Sequence, residues 1–195
     1  MAESRAAERP VVDIRSREDW RDWLAAHHAD TGSVWLVRWK KHTPHYTDHM
    51  DLVEEALCWG WVDSAVRKCD ADSSLLLFSP RNPRSAWSAV NRRLVARAEA
   101  SGAMTDAGRA LIAAARANGM WDFLDDVERL EVPPDLADAF AALPPAAREW
   151  DGFPPSTRRG ILEWIKTAKR AETRAARIAT TAAMAQRGER ANQPR

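Results

Sequence analysis

Between Leu57 and Arg93 the chain gathers side chains suited to holding an anion. Trp59, Trp61, Asp63 and Ser64 come first. A loop punctuated by Pro80 and Pro83 follows, carrying Arg81, Arg84, Ser85, Trp87, Ser88 and Asn91. A guanidinium fork matches a carboxylate or phosphate. A helix opening at Ser85 would add unpaired N–H groups, and Trp87 would stack on a ring or close the pocket. The competing reading is internal: Asp63 pairs with Arg81 or Arg84, and Ser85 only caps a helix. Both readings stay open.

Other residues offer weaker chemistry. Cys58 would be a nucleophile only with a nearby base and a lowered pKa, whereas a cysteine between Leu57 and Trp59 also suits core filling. Asp63 would serve as an acid/base with Arg81 and Arg84 positioning an anionic substrate, in a reaction that no motif specifies. Asp70 and Asp72 suit a hairpin turn. Lys40 and Lys41 end a strand and would enlarge an anionic site if they face the arginine loop. His42, His45 and His49 have helical spacing, but Pro44 interrupts it, so a solvated loop is expected and no metal or cofactor. Lys166, Lys169, Arg170, Arg174 and Arg177 recur at intervals that make a basic ridge, which would neutralise nucleic-acid phosphates or dock on the chain's own acids.

The elements that position these groups follow from pattern. Val11, Val12 and Ile14 read as a strand. Ser16 caps a helix with Trp20, Trp23, Leu24 and His27 on one face. SVWLVRWK, Ser33 to Lys40, is rich in β-branched and aromatic residues, as a strand is. Asp51 with Glu54 resembles a capping box. Trp61–Cys69 and Ser74–Phe78 form a hairpin, with Val62, Ser64 and Val66 on one face and Asp63, Ala65 and Arg67 on the other. Helices are expected over Ala86–Ser101, Thr105–Asn118, Asp135–Leu143, Pro145–Trp150, Ser156–Lys169 and Ala171–Arg187. Gly160 weakens its helix by up to ~1 kcal/mol relative to alanine.

Charge is near balance overall, which argues against binding polyanions by bulk charge. It is unevenly placed. Pro80 to Arg97 holds five arginines and no acid, Asp122 to Asp138 holds seven acids, and the stretch after Ser156 is basic again. The two cysteines have no metal-binding spacing, and no apolar run approaches the ~20 residues of a membrane span. A reduced cytoplasmic protein is expected.

Three blocks together, LCWGWVDS (Leu57–Ser64), SPRNPRSAWSAVNR (Ser79–Arg92) and WIKTAKRAETRAARI (Trp164–Ile178), resemble the YdeI/OmpD-associated, or bacteriocin-protection, family. The likeness runs from about Asp19 to Gly188. Val62, Ser79 and Gly160-Ile161 are mild departures. The resemblance implies resistance to bacteriocins, cationic antimicrobial peptides or other envelope stress, and no established reaction, cofactor or catalytic residue.

The expectation is therefore an α+β protein. Residues 1–10 are a disordered tail, residues 11–120 an α/β domain with a small sheet, flanking helices and the Trp/Arg site, and residues 121–134 an acidic linker. Residues 135–188 are a helical domain and residues 189–195 a second disordered tail. Its partner would be a small anionic ligand or a protein, with nucleic acid the less favoured choice.

Overall fold

The computed structural model describes residues 9–192 and divides into two compact units, Met1–Phe123 and Leu124–Arg195. Of the two expected tails, residues 1–8 and 193–195 lie outside the described residues.

In the first unit, β1 (Val11–Asp13) leads into α1 (Arg17–His27), whose N-cap Ser16 accepts a hydrogen bond from the Asp19 amide. Next come β2 (Val34–Trp39), α2 (His49–Cys58), β3 (Trp61–Lys68) and β4 (Ser73–Pro80). Among the described residues these strands make one sheet ordered β1-β2-β4-β3, in which only the β1–β2 pair is parallel. Val34 lies opposite Phe78 and Leu36 opposite Leu76, and all four are buried. Against this face pack Trp20 of α1, 5.2 Å from the Phe78 ring, and the apolar side of α2. The Trp20 indole N–H donates to Leu52 O across the two helices. Helices α3 (Ala89–Ala100) and α4 (Asp106–Ala117) complete the unit.

Helix α2 starts three residues earlier than expected. Asp48, not Asp51, is the cap, and its carboxylate accepts from the Met50 amide. Asp51 and Glu54 are thereby freed from capping and meet arginines. Glu54 and Glu55 are each only 2 % exposed. Glu54 pairs with Arg17 and Arg97, Glu55 with Arg17 and Arg21, and Asp51 with Arg17 and Arg97. Burial opposes the charge on Arg17, but its hydrogen bonds to Glu54 and Glu55 outweigh that and raise its pKa. This cluster ties α1, α2 and α3 together.

The second hairpin expectation also needs correction. A bulge at Ser64 lets Asp63 face Phe78 and Val66 face Leu76, so Asp63 and Val66 share a face that simple alternation would separate.

The second unit holds α5 (Asp125–Glu128), α6 (Pro134–Ala141), α7 (Ala146–Asp151), α8 (Pro155–Lys166) and α9 (Ala171–Gln186). Leu136, Phe140, Trp150, Ile161, Leu162, Ile165 and Ile178 fill its core. From Leu124 onward, the segment expected as an acidic linker belongs to this unit, while Trp121 packs on the core of the first. Leu124 and Val127 are buried, Asp126 pairs with Lys166, and Glu128 with Arg159. Two of its acids, Asp126 and Glu128, are thus complements to α8. The expected C-terminal tail is likewise built in as far as it is described, since Ala191 is buried and Glu189 pairs with Arg187.

Two helical glycines have opposite roles. A Cβ on Gly108 would lie 2.5 Å from both Cys58 O and Met104 Sδ, so α4 approaches the end of α2 only because that position has no side chain. A Cβ on Gly160 meets nothing within 4 Å. The same substitution should therefore act with opposite signs. Gly108→Ala is expected to destabilise the first unit by ~1–3 kcal/mol through overpacking, and Gly160→Ala to stabilise the second by ~1 kcal/mol through helix propensity. Urea unfolding of the two variants measures both; equal signs would contradict the assignment.

Candidate functional site

Pro80 ends β4, and the Arg81 amide donates to Gly60 O, so the arginine loop is anchored to the turn between α2 and β3. The Arg81 side chain turns inward. The residue is 6 % exposed, its guanidinium lies 4.0 Å over the Trp87 ring, and Nη2 donates to Ala86 O at 2.6 Å. Its Nε is buried without a hydrogen-bond partner. Burial lowers its pKa to about 10, and nearby Asp63 partly offsets this. Asp63 is itself engaged: its Oδ2 lies 3.2 Å from Nε2 of His49, the first residue of α2. The other His49 nitrogen, Nδ1, is also buried and without a partner. The structure thus brings together His49, Asp63, Arg81 and Trp87.

The remaining expected residues are dispersed. Trp61 is core, donating to His28 O and packing edge-on against Trp23, as is Trp87, whose ring also lies against Trp121 besides meeting Arg81. Trp59 is half-buried beside His28 and Arg21. Ser64 sits in the exposed bulge. No helix opens at Ser85. Asn82 takes up the Arg84 amide on its side chain and the Ser85 amide on its carbonyl, which makes a tight turn there. Arg84 and Ser85 are exposed on it. The helix begins after Ser88, whose hydroxyl accepts from the Asn91 amide. Lys40 donates to Asp70 O and Ala71 O and so closes the β3–β4 turn. The arrangement of Asp63 with both Arg81 and Arg84 is therefore not assembled.

The three histidines go to separate partners: His42 to Asp72, His45 to the Trp39 ring, and His49 to Asp63.

The opening lies beside this cluster. A cleft of about 350 Å³ is lined by Arg38, Trp39, Lys40, Lys41, Tyr46, Asp48 and His49. Its single carboxylate, Asp48, is held below the usual carboxylate range, foremost by the Met50 amide, with the Tyr46 hydroxyl also donating to it. The Arg38 Nε donates to Ser74 Oγ, and the Lys41 ammonium rests 5.8 Å from the Tyr46 ring. Arg38, Tyr46 and Asp48 were not singled out in the sequence. The signal was present in RWKK at the end of β2, facing the true cap of α2.

The C-terminal ridge is split. Lys166 is committed to Asp126, and Arg174 makes a two-pronged contact with Asp135 at 2.8 Å on each arm, which lowers the Asp135 pKa. Arg177 lies over the Trp164 ring and donates to Trp164 O. Lys169 and Arg170 are exposed.

Residues 12–111 match a family model described as a domain of unknown function (DUF8412). Residues 129–188 match the bacteriocin-protection, YdeI or OmpD-associated family. The chain belongs to the first of these families; its similarity to the second is confined to the C-terminal stretch. The bacteriocin-protection match is narrower than the likeness drawn from the three blocks. Only Trp164–Ile178 falls inside it, and the first two blocks lie in the DUF8412 stretch. No curated protein and no solved structure matches the chain. Among the described residues no helix is long and apolar enough to cross a membrane.

Cys58 has the wrong environment for a nucleophile. It is fully buried, and burial, reinforced by Glu55, pushes its thiol pKa up to about 12. Cys69 is exposed. Titration with a thiol reagent at pH 8 should modify one cysteine in the native protein and two in denaturant. Rapid native modification of Cys58 would contradict this placement.

Proposed function

We propose that this protein serves a bacteriocin-protection role by binding a small anionic ligand, a carboxylate or phosphate ester, in the cleft at the end of β2. The observation that carries this reading is the charge balance of that cleft: Arg38, Lys40 and Lys41 against Asp48 alone, with Asp48 already satisfied internally. Lys40 also spends its ammonium on the hairpin turn, so Arg38 and Lys41 are the groups for the ligand. Guanidinium and ammonium donors to an anion form charge-assisted bonds stronger than neutral ones. Trp39 and Tyr46 supply aromatic walls, which suits an anion carried on a planar or apolar body.

His49 links the cleft to the interior. Its Nε2 is fixed on Asp63, and Asp63 in turn supports the buried charge of Arg81. Arg81 acts as scaffold in this reading, and its removal would disturb packing on Trp87 before it disturbed binding. The ligand site is thus displaced from the tryptophan-centred pocket to its neighbour. Bacteriocin protection is the physiological reading that the C-terminal match supports; resistance to cationic peptides and a cytoplasmic setting are our extension of it.

A thermal-shift panel of small carboxylates and phosphate esters, run on the parent and on an Arg38→Ala/Lys41→Ala variant, tests this. At least one compound should stabilise the parent, with roughly tenfold or greater loss of affinity in the variant. Equal response of both proteins to every compound would overturn the site.

A further inference from the structure

The second unit sorts its basic residues into two groups. Those turned toward its own acids are paired: Arg159 with Glu128 and Glu163, Lys166 with Asp126, and Arg174 with Asp135. Three others, Lys169, Arg170 and Arg177, meet at the junction of α8 and α9. There Thr167, Lys169, Arg170, Thr173 and Arg177 line a groove of about 340 Å³ that no carboxylate lines. Neither Lys169 nor Arg170 has a carboxylate within ion-pair distance among the described residues, although acids are plentiful in this unit.

Arg177 is held in place before any ligand arrives. Its guanidinium lies 4.9 Å over the Trp164 ring, and Nη1 donates to Trp164 O. Its remaining N–H groups are left for an acceptor, at little further entropic cost because the side chain is already ordered. Thr167 contributes no donor, since its hydroxyl donates to Glu163 O. Thr173 retains its hydroxyl donor. Arg170 occupies the cap position of α9, and no side chain caps that helix, so its first N–H groups also open at this edge. Glu172 is on the same turn and exposed, and it does not line the groove.

Three cations, a hydroxyl and backbone donors converging on one concavity suit an acceptor with several charged oxygens on one centre. They suit a nucleic-acid strand less well. Tracking a backbone requires a row of phosphate contacts, and two members of the expected five-residue ridge, Lys166 and Arg174, are spent on internal acids. The only tryptophan at hand, Trp164, has a face covered by Arg177 and is not free to stack on a base.

We propose that this groove binds a single phosphate group, carried by a soluble phosphate ester or by a lipid headgroup. The site is separate from the N-terminal cleft and does not depend on it.

The test is an amide NMR titration of the full chain with three probes: inorganic phosphate, glycerol phosphate, and phosphatidylcholine vesicles containing phosphatidic acid. Saturable changes confined to residues 167–177 are expected with at least one probe. Changes with the soluble probes identify a free phosphate ester as the source, and changes with vesicles alone identify a headgroup. In a Lys169→Ala/Arg170→Ala variant, whose dispersed spectrum confirms its fold, affinity should fall roughly tenfold or more. The proposal is overturned by no saturable change with any probe, or by unaltered binding in the variant. It is also overturned if an oligonucleotide binds through Lys169 and Arg170 with a salt dependence corresponding to about five or more phosphates.

Discussion

Two glutamates buried on one helix, answered by three arginines from two others, are the constraint on which the N-terminal unit rests. A carboxylate removed from water is strongly unfavourable unless it is paired and hydrogen-bonded. Glu54 and Glu55 are nearly inaccessible, so α2 is tolerated in the core only while Arg17 and Arg21 of α1 and Arg97 of α3 stay in place. Arg21 extends the tie by donating to Ala103 O beyond α3. The apolar core around Trp20, Leu52 and Phe78 supplies burial energy, but hydrophobic burial is non-directional. The ion cluster fixes how the three helices are turned.

That orientation reaches the candidate site directly. α2 begins with His49 at the cleft, carries the carboxylates through its middle, and ends at Cys58 and Gly60, where Gly60 O receives the Arg81 amide. β3 then presents Asp63 back to His49. One helix therefore sets the positions of the cleft's inner wall, the buried arginine and the aspartate between them. The C-terminal unit follows the same logic with different groups. Asp126 and Glu128, which look like linker residues by composition, are counter-charges of α8, Asp135 is that of α9, and Lys169 and Arg170, left without such partners, mark a surface.

Much of the local structure is legible along the chain. Ser16 as a cap, the β2 run SVWLVRWK and the β3–β4 hairpin all express short-range preferences. What escaped was decided at long range or by competition. Asp51 and Glu54 have the spacing of a capping box, and only arginines far away in sequence reveal their use. Ser85 and Ser88 are equally good caps in SPRNPRSAWS, and the turn at Asn82 decides between them by taking the Ser85 amide. The bulge at Ser64 leaves no mark in composition. The three tryptophans near the expected pocket are the same residue type with different fates, because Trp61 and Trp87 fill the core and Trp59 does not. The cleft itself is formed by residues that look like a solvated strand end until α2 is placed three residues earlier.

The ion cluster is the claim from which the rest follows, and a double-mutant cycle on Arg17 and Glu54 addresses it most directly. Unfolding free energies of the parent, Arg17→Met, Glu54→Gln and the double variant would be measured in urea. Each single change is expected to cost ~3 kcal/mol or more, and the double variant clearly less than their sum, because Glu54 is buried and Arg17 is shared among Glu54, Glu55 and Asp51. Additive costs below ~1 kcal/mol each, as for an exposed pair, would contradict it.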